Sequence, residues 1–243
     1  VSDRAWLRQR LRADPALHLY ELGDLDDFFW PNTRWFARGD AIALVYTASE
    51  LPVLVALGDA AELLGELRDE LPARIYAHLS PGLVTNLTPR FTDEPHGDFL
   101  KMILTAHELP DADAEPLAPA DRDELVAFYA RAYPGNWFDP RMLETGQYFA
   151  LREHGAMVAA GGVHVYSPSE RVAALGNIAV APEARGRHLA RRVTAAVCHS
   201  LRRTVDHIGL NVRADNPAAI TCYTRLGFVH AANYEEHLLS TDP

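Results

Sequence analysis

The sequence predicts an α/β fold in two successive halves, and three observations carry that expectation. Strand-like apolar runs alternate with amphipathic helical stretches along the whole chain. The stretch His107 to Asp121, HELPDADAEPLAPAD, holds three prolines and a series of acids but no aromatic residue, and reads as a linker. The chain has 243 residues, which suits one large domain or two small ones at roughly 100–200 residues per domain. The expected domains are therefore 1–112 and 113–243.

In the first half, a helix is expected over Trp6 to Arg12, ended by Asp14-Pro15. Arg34 to Ala37 and Ala41 to Thr47 flank Arg38-Gly39-Asp40, a hairpin signal. Pro52 to Leu57 is a further strand. Asp59 suits the N-cap of a helix to Leu71, with Leu63, Leu64, Leu67 and Leu71 on one face. Arg74 to Leu79 and Phe99 to Thr105 read as strands. The segment His18 to Leu25 ends in acids and reads either as a contact for a cationic ligand or as a solvated turn.

In the second half, Asp121 caps a helix from about Arg122 to Ala132, and Tyr133 to Pro140 is a turn-rich aromatic break. Tyr148 to Arg152, Ala156 to Tyr166 and Arg171 to Val180 read as strands. A helix follows from Ala184 to about Arg203, with Leu189, Val193, Ala196, Val197 and Leu201 on the helical period. His207 to Val212 alternates as a strand. Pro217 suits the first position of a short helix that Gly227 ends, and Phe228 returns to strand.

Composition excludes several classes. The chain is 48% hydrophobic and 23% charged, ordinary for a globular protein. Its formal charge is −10, with net −8 in residues 1–112 and −2 in 113–243, which disfavours nucleic-acid binding. No apolar run reaches the roughly 18 residues of a membrane helix, and residues 1–15 carry no signal-peptide pattern. Cys198 and Cys222 form neither a zinc pattern nor a disulfide framework, so a cytoplasmic location without a metal is expected. The 23 basic residues include a single lysine, Lys101.

Two runs carry chemistry. In the first, Asn177 to Ala190, a strand stops, a basic glycine-containing loop follows, and a helix begins. Such a turn either binds phosphate on the free N–H groups of the helix, helped by Arg185 and Arg187, or is a plain connection. In the second, Asn216 to Phe228, Tyr223 lies seven residues after Asn216, nearly two helical turns, so both can face one cleft. The alternative is a capped helix with a core tyrosine.

Together and in this order, the runs resemble the GNAT acetyltransferase superfamily over roughly Leu117 to Leu239. Arg185-Gly186-Arg187-His188-Leu189-Ala190 is similar to its pyrophosphate loop, and Asn216-Pro217-Ala218-Ala219, Tyr223 and Gly227-Phe228 to its Asn-x-Ala, Tyr and Gly-Phe signature. The resemblance implies a mixed, strongly twisted sheet flanked by helices, with acetyl-CoA (coenzyme A) in a splay between two strands. Ile178 and Val180 would border the cofactor, Arg185, Gly186, Arg187, His188, Leu189 and Ala190 would meet the phosphates, Asn216 the pantetheine arm, and Tyr223 the departing thiolate. One departure is His188, where the family loop has a second glycine. The first half, without such a loop, resembles a degenerate GNAT-like domain placed before an active one, as in glycine N-acyltransferase-like proteins.

Acyl transfer to an amine needs a neutral nucleophile and hence a base or water chain. His164 and Asn177 lie on the strands expected to border the cleft. His164 is the candidate base, or else a structural histidine, while Asn177 can only orient water. Trp137 and Phe138 either wall the acceptor site, with Asp139 attracting a cation, or anchor their loop. Two classes follow: an acetyl-CoA-dependent N-acetyltransferase acting on a small-molecule or peptide amine, or a non-catalytic acyl-CoA-binding or sensing module.

Overall fold

The computed structural model describes residues 1–241, which form two compact units. The first comprises residues 1–101, 212–216 and the chain from His230; the second comprises 102–211 and 217–229.

The first unit opens with α1 (Arg4–Leu11), capped by the Asp3 side chain, which accepts from the Trp6 N–H at 3.0 Å. A short α2 (Leu19–Gly23) follows. Strands β1 (Thr33–Arg38) and β2 (Ala41–Tyr46) form the expected hairpin, with Gly39 at positive φ in its turn. β3 (Val53–Ala56) pairs antiparallel with β2 and, across α3 (Ala61–Leu67), parallel with β4 (Arg74–Leu79). Leu63, Leu64 and Leu67 of α3 bury against Leu54, Ile75 and Leu239. A buried leucine of this kind contributes roughly 1.5–3 kcal/mol. β5 (Thr92–Leu104) is longer than the expected strand from Phe99, because Pro95 and Gly97 break the sequence pattern without ending the strand.

The second unit holds β6 (Glu115–Pro116), α4 (Arg122–Ala132), β7 (Phe149–Glu153), β8 (Ala156–Ser167), β9 (Val172–Val180), α5 (Leu189–Leu201), β10 (His207–Arg213) and α6 (Pro217–Thr224). The chain closes with β11 (Phe228–Ser240). The neighbour order is β10-β9-β8-β7-β6 in the second unit and β1-β2-β3-β4-β11-β5 in the first. Both sheets are mixed and flanked by helices. A four-strand pattern also repeats. β7–β8 and β8–β9 are antiparallel and β9–β10 parallel across α5, as β1–β2, β2–β3 and β3–β4 are across α3.

The expected linker is not a free tether. Its first part, residues 106–113, lies along α5. Arg192 pairs with Asp113 (Nε–Oδ1 3.0 Å), the His199 ring meets the Pro110 carbonyl at 3.0 Å, and Arg202 donates to the carbonyls of Ala106 and His107. β6 then adds to β7. Proline and acid content hides this, because the partners are basic residues on or just after a helix 79 to 96 residues later.

Candidate active site

The site is built on β8 and β9. Two one-residue register shifts interrupt their antiparallel ladder. Between the pairs Ala160↔Ala179 and Gly162↔Gly176, β9 carries one extra residue, which leaves Asn177 at φ +55°. Between Val163↔Leu175 and Val165↔Ala174 the extra residue is His164 on β8. Bulges re-aim side chains, and these two bring Asn177 near enough to His164 to act on its imidazole.

Asn177 is 4% exposed. Its Nδ2 donates to the Tyr148 hydroxyl at 3.0 Å, its carbonyl accepts from the Tyr129 hydroxyl at 2.8 Å, and Tyr148 donates to the Val163 carbonyl at 3.0 Å. Phe138 packs on both Tyr129 and Tyr148, with centroids 5.2 and 5.4 Å apart. The His164 ring lies over Gly176, where a Cβ would stand 2.2 Å from the ring, so only glycine admits it. His164 Nε2 is buried and meets no hydrogen-bond partner. Burial pushes its pKa down, against a smaller upward pull from Asn177, so the imidazole is neutral at pH 7.

Parallel pairing of β10 with β9 runs from His207↔Val172 to Leu210↔Leu175 and stops there, while β9 continues to Val180. Ile178 and Val180 are half-buried on this continuing stretch. Asn211, just past the last pair, has a buried Oδ1 without a partner. Beyond Val180 a 3-10 turn (Pro182–Ala184) leads through Gly186 at φ +78° to His188, the N-cap residue of α5, at φ +60°. His188 is exposed and makes no side-chain cap hydrogen bond. The first N–H groups of α5, from buried Leu189 and half-buried Ala190 onward, lack intrahelical acceptors, as in any helix.

The arginines of this turn are placed differently from the expectation. Arg185 donates to the carbonyls of Val180 (3.4 Å) and Ala132 (3.3 Å), tying the end of β9 to the end of α4. Arg187 forms an exposed pair with Glu153, Nη1 to Oε2 2.9 Å. Arg191, on the first turn of α5, has a buried Nε with no partner. Sequence reasoning passed over it because a helical arginine looks solvated.

Tyr223 on α6 is 8% exposed and packs edge-on against Phe228 at 6.0 Å. Burial chiefly, with smaller effects from Cys222, Tyr133 and Cys198, raises its pKa and keeps the phenol protonated. Tyr133 also acts electrostatically on Tyr129, which in turn feels Tyr148. Asn216, exposed and directly before Pro217, belongs to the first unit.

In the loop after α4, Trp137 is 66% exposed. Asp139, expected to attract a cation, instead caps the 3-10 helix Pro140–Thr145. Both its oxygens are engaged by Arg141, which holds its carboxyl below the usual range. Among the described residues no cluster suits a metal ion, and no helix is long and apolar enough to cross a membrane.

Residues 108–228 match the model of the Acetyltransferase (GNAT) family. A mycothiol acetyltransferase from Tsukamurella paurometabola is 36% identical over 111 residues, 42% of this chain and 36% of that protein. One from Streptomyces griseus is 30% identical over 126 residues, 51% of this chain and 33% of that protein. The chain thus matches about a third of the length of these curated relatives. Among solved structures, a GNAT-family acetyltransferase from Novosphingobium aromaticivorans superimposes with TM-score 0.65 at 21% identity, covering 94% of this chain and 98% of its own. A tandem GNAT protein from the clavulanic acid biosynthesis pathway does so with TM-score 0.54 at 14% identity, covering 88% and 85%. The fold is that of GNAT proteins, and the segment 108–228 matches the GNAT acetyltransferase family.

Proposed function

We propose that the chain moves an acetyl group from acetyl-CoA to a primary amine by direct attack in a ternary complex. The observation that carries this reading is the parting of β9 from β10. Beyond Leu175 the β9 backbone has no β10 partner, and it leads directly to the turn and free N-terminus of α5. An extended amide-bearing arm suits such an edge, and phosphates suit a helix N-terminus. The orphaned Asn211 Oδ1 and Arg191 Nε add one acceptor and one donor to the same region of the second unit.

In this proposal Ile178 and Val180 border the arm of the cofactor. Residues 186–190 offer backbone N–H groups to the phosphates, with Arg191 supplying the charge that Arg187 spends on Glu153. His164, neutral and with Nε2 unclaimed, takes the proton of the incoming ammonium, directly or through a water that Asn177 orients. Tyr223 gives its proton or a hydrogen bond to the thiolate. Trp137 and Phe138 wall the acceptor. The relatives' name, mycothiol acetyltransferase, supports a small-molecule acceptor. The test is thiol release from acetyl-CoA over a panel of small amines, beside a binding measurement. Binding without turnover of any amine would favour the non-catalytic sensing module.

We further propose that the first half is a degenerate GNAT-like domain without a cofactor site. Its equivalent strands do not part. β3 and β4 stay paired to Ala56↔Leu79, and the Ser80 N–H still reaches the Ala56 carbonyl at 3.1 Å. The following turn carries Asp59 where phosphate would need positive charge.

Arg185→Glu is expected to weaken CoA binding about tenfold in isothermal titration. It removes the guanidinium that ties Val180 to Ala132 and sets a carboxylate beside the phosphates. Undiminished affinity would place the cofactor elsewhere.

A further inference from the structure

His164 and Asn177 are held by a residue outside the proposed catalytic set. Tyr148, directly before β7, is fully buried. A Cβ at Gly162 would stand 2.5 Å from its ring, just as one at Gly176 would meet the His164 ring. Gly162 and Gly176 are partners across the β8–β9 ladder, so the two rings sit side by side on one face of the sheet. All these residues belong to the second unit.

A phenol has one proton to give. That of Tyr148 goes to the Val163 carbonyl at 3.0 Å, a better acceptor than the Met142 sulfur 3.2 Å away. Toward Asn177 the hydroxyl therefore offers only a lone pair, which accepts from Nδ2 at 3.0 Å. The Met142 sulfur, 3.9 Å from Nδ2, can likewise only accept. The donors and acceptors around an amide decide which of its two ends points where. Reversed, this amide would set Oδ1 against two atoms with no proton for it. As it stands, Oδ1 is the atom left to act on His164. The electrostatic effects agree in direction. Asn177 favours the ionised phenol of Tyr148, as a donor does, and the protonated imidazole of His164, as an acceptor does. The Tyr129 hydroxyl meanwhile pins the Asn177 carbonyl at 2.8 Å, which fixes the backbone that carries the amide.

We propose that Tyr148 is a positioning residue for the transfer: it locks the Asn177 amide with Oδ1 toward His164 and so readies that imidazole to take the ammonium proton. The proposal deepens the acetyl-transfer reading and rests on it for the role of His164. Burial opposes protonation of His164 and Asn177 offsets part of that effect, while no charged side chain among the described residues contributes. The titratable groups joined to the network are Tyr129 on α4, Tyr148 itself, and Asp139 in the loop after α4, which acts on Tyr148 and is engaged by Arg141.

The test is NMR titration of the histidine rings in the full chain and in Tyr148→Phe, with His164→Gln to assign the signal, beside the pH profile of acetyl transfer. Tyr148→Phe keeps the ring over Gly162 and frees the amide to turn. Losing the acceptor at the imidazole is expected to lower the His164 protonation constant about threefold or more. The acid limb of kcat/KM should move to lower pH with it, and the plateau kcat should fall about threefold with KM for acetyl-CoA unchanged. In an Asn177→Gly background, where glycine suits φ +55° and no amide remains, Tyr148→Phe should move the His164 signal no further. If Tyr148→Phe does not fold, the wild type decides: the Asn177 amide protons should show nuclear Overhauser contacts to the Tyr148 ring and not to the His164 ring. The proposal is overturned by an unmoved His164 titration in Tyr148→Phe, by an equal shift in the Asn177→Gly background, or by amide protons that face His164. A moved titration without turnover of any amine would support the lock and overturn the acetyl-transfer reading instead.

Discussion

Tyr223→Phe is expected to lower the turnover number at least about tenfold for any amine the protein acetylates, with CoA affinity nearly unchanged. Positioned proton donors typically contribute about 10²–10⁴-fold in rate. The substitution keeps the ring and its edge contact with Phe228, so packing is preserved. What it removes is a hydroxyl whose raised pKa keeps it protonated until the thiolate forms. A loss in kcat without loss in cofactor binding marks an interaction made mainly in the transition state. Steady-state kinetics on the first amine found to be a substrate, beside titration with CoA, measures both quantities. Wild-type turnover in the variant would make the tyrosine structural.

Gly227→Ala is expected to destabilise the fold by about 3 kcal/mol, the largest stability effect foreseen here. Gly227 sits at φ +89°, where an L side chain costs about 1–2 kcal/mol. A Cβ there would stand 2.1 Å from the Ala106 Cβ and 3.2 Å from its Cα, and such overpacking costs typically about 1–3 kcal/mol. Alanine's lower freedom in the unfolded chain returns about 0.4–1 kcal/mol, too little to offset the sum. The Gly227 carbonyl also accepts from the Thr105 N–H at 3.1 Å, so the segments cannot separate cheaply. Urea unfolding of both proteins checks this, and a shift below about 1 kcal/mol would show that the contact relaxes.

The glycine before Phe228 was legible in the sequence because it answers to a local backbone requirement. The same holds for the strand–turn–helix of residues 172–201, whose hydrophobic period and turn residues are local. Side-chain destinations were less legible. Arg185 and Arg187 read as phosphate ligands, yet besides the nearby Val180 carbonyl their acceptors are Ala132 and Glu153, remote in sequence and adjacent only after β7, β8, β9 and α4 assemble. The His164–Asn177 contact depends on two compensating bulges, which no residue pattern announces because a bulge is a property of register. α2 has five residues, too few to show a period, and its Tyr20 ring meets Lys101, far along the chain. The strap at 107–121 was misread as a linker for the same reason. Its composition is that of an exposed segment, and its anchors Arg192, His199 and Arg202 lie on another element.

One acyl-CoA site is proposed where β9 leaves β10, and none in the first half. Hydrogen–deuterium exchange of the full chain with and without CoA, run beside a binding stoichiometry, tests it most directly. One CoA per chain is expected, with slowed exchange at residues 176–180 and at the N–H groups of 186–191. The turn after β3 at residues 57–61 should be unchanged. Two CoA per chain, or protection at 57–61 without protection at 186–191, would contradict it.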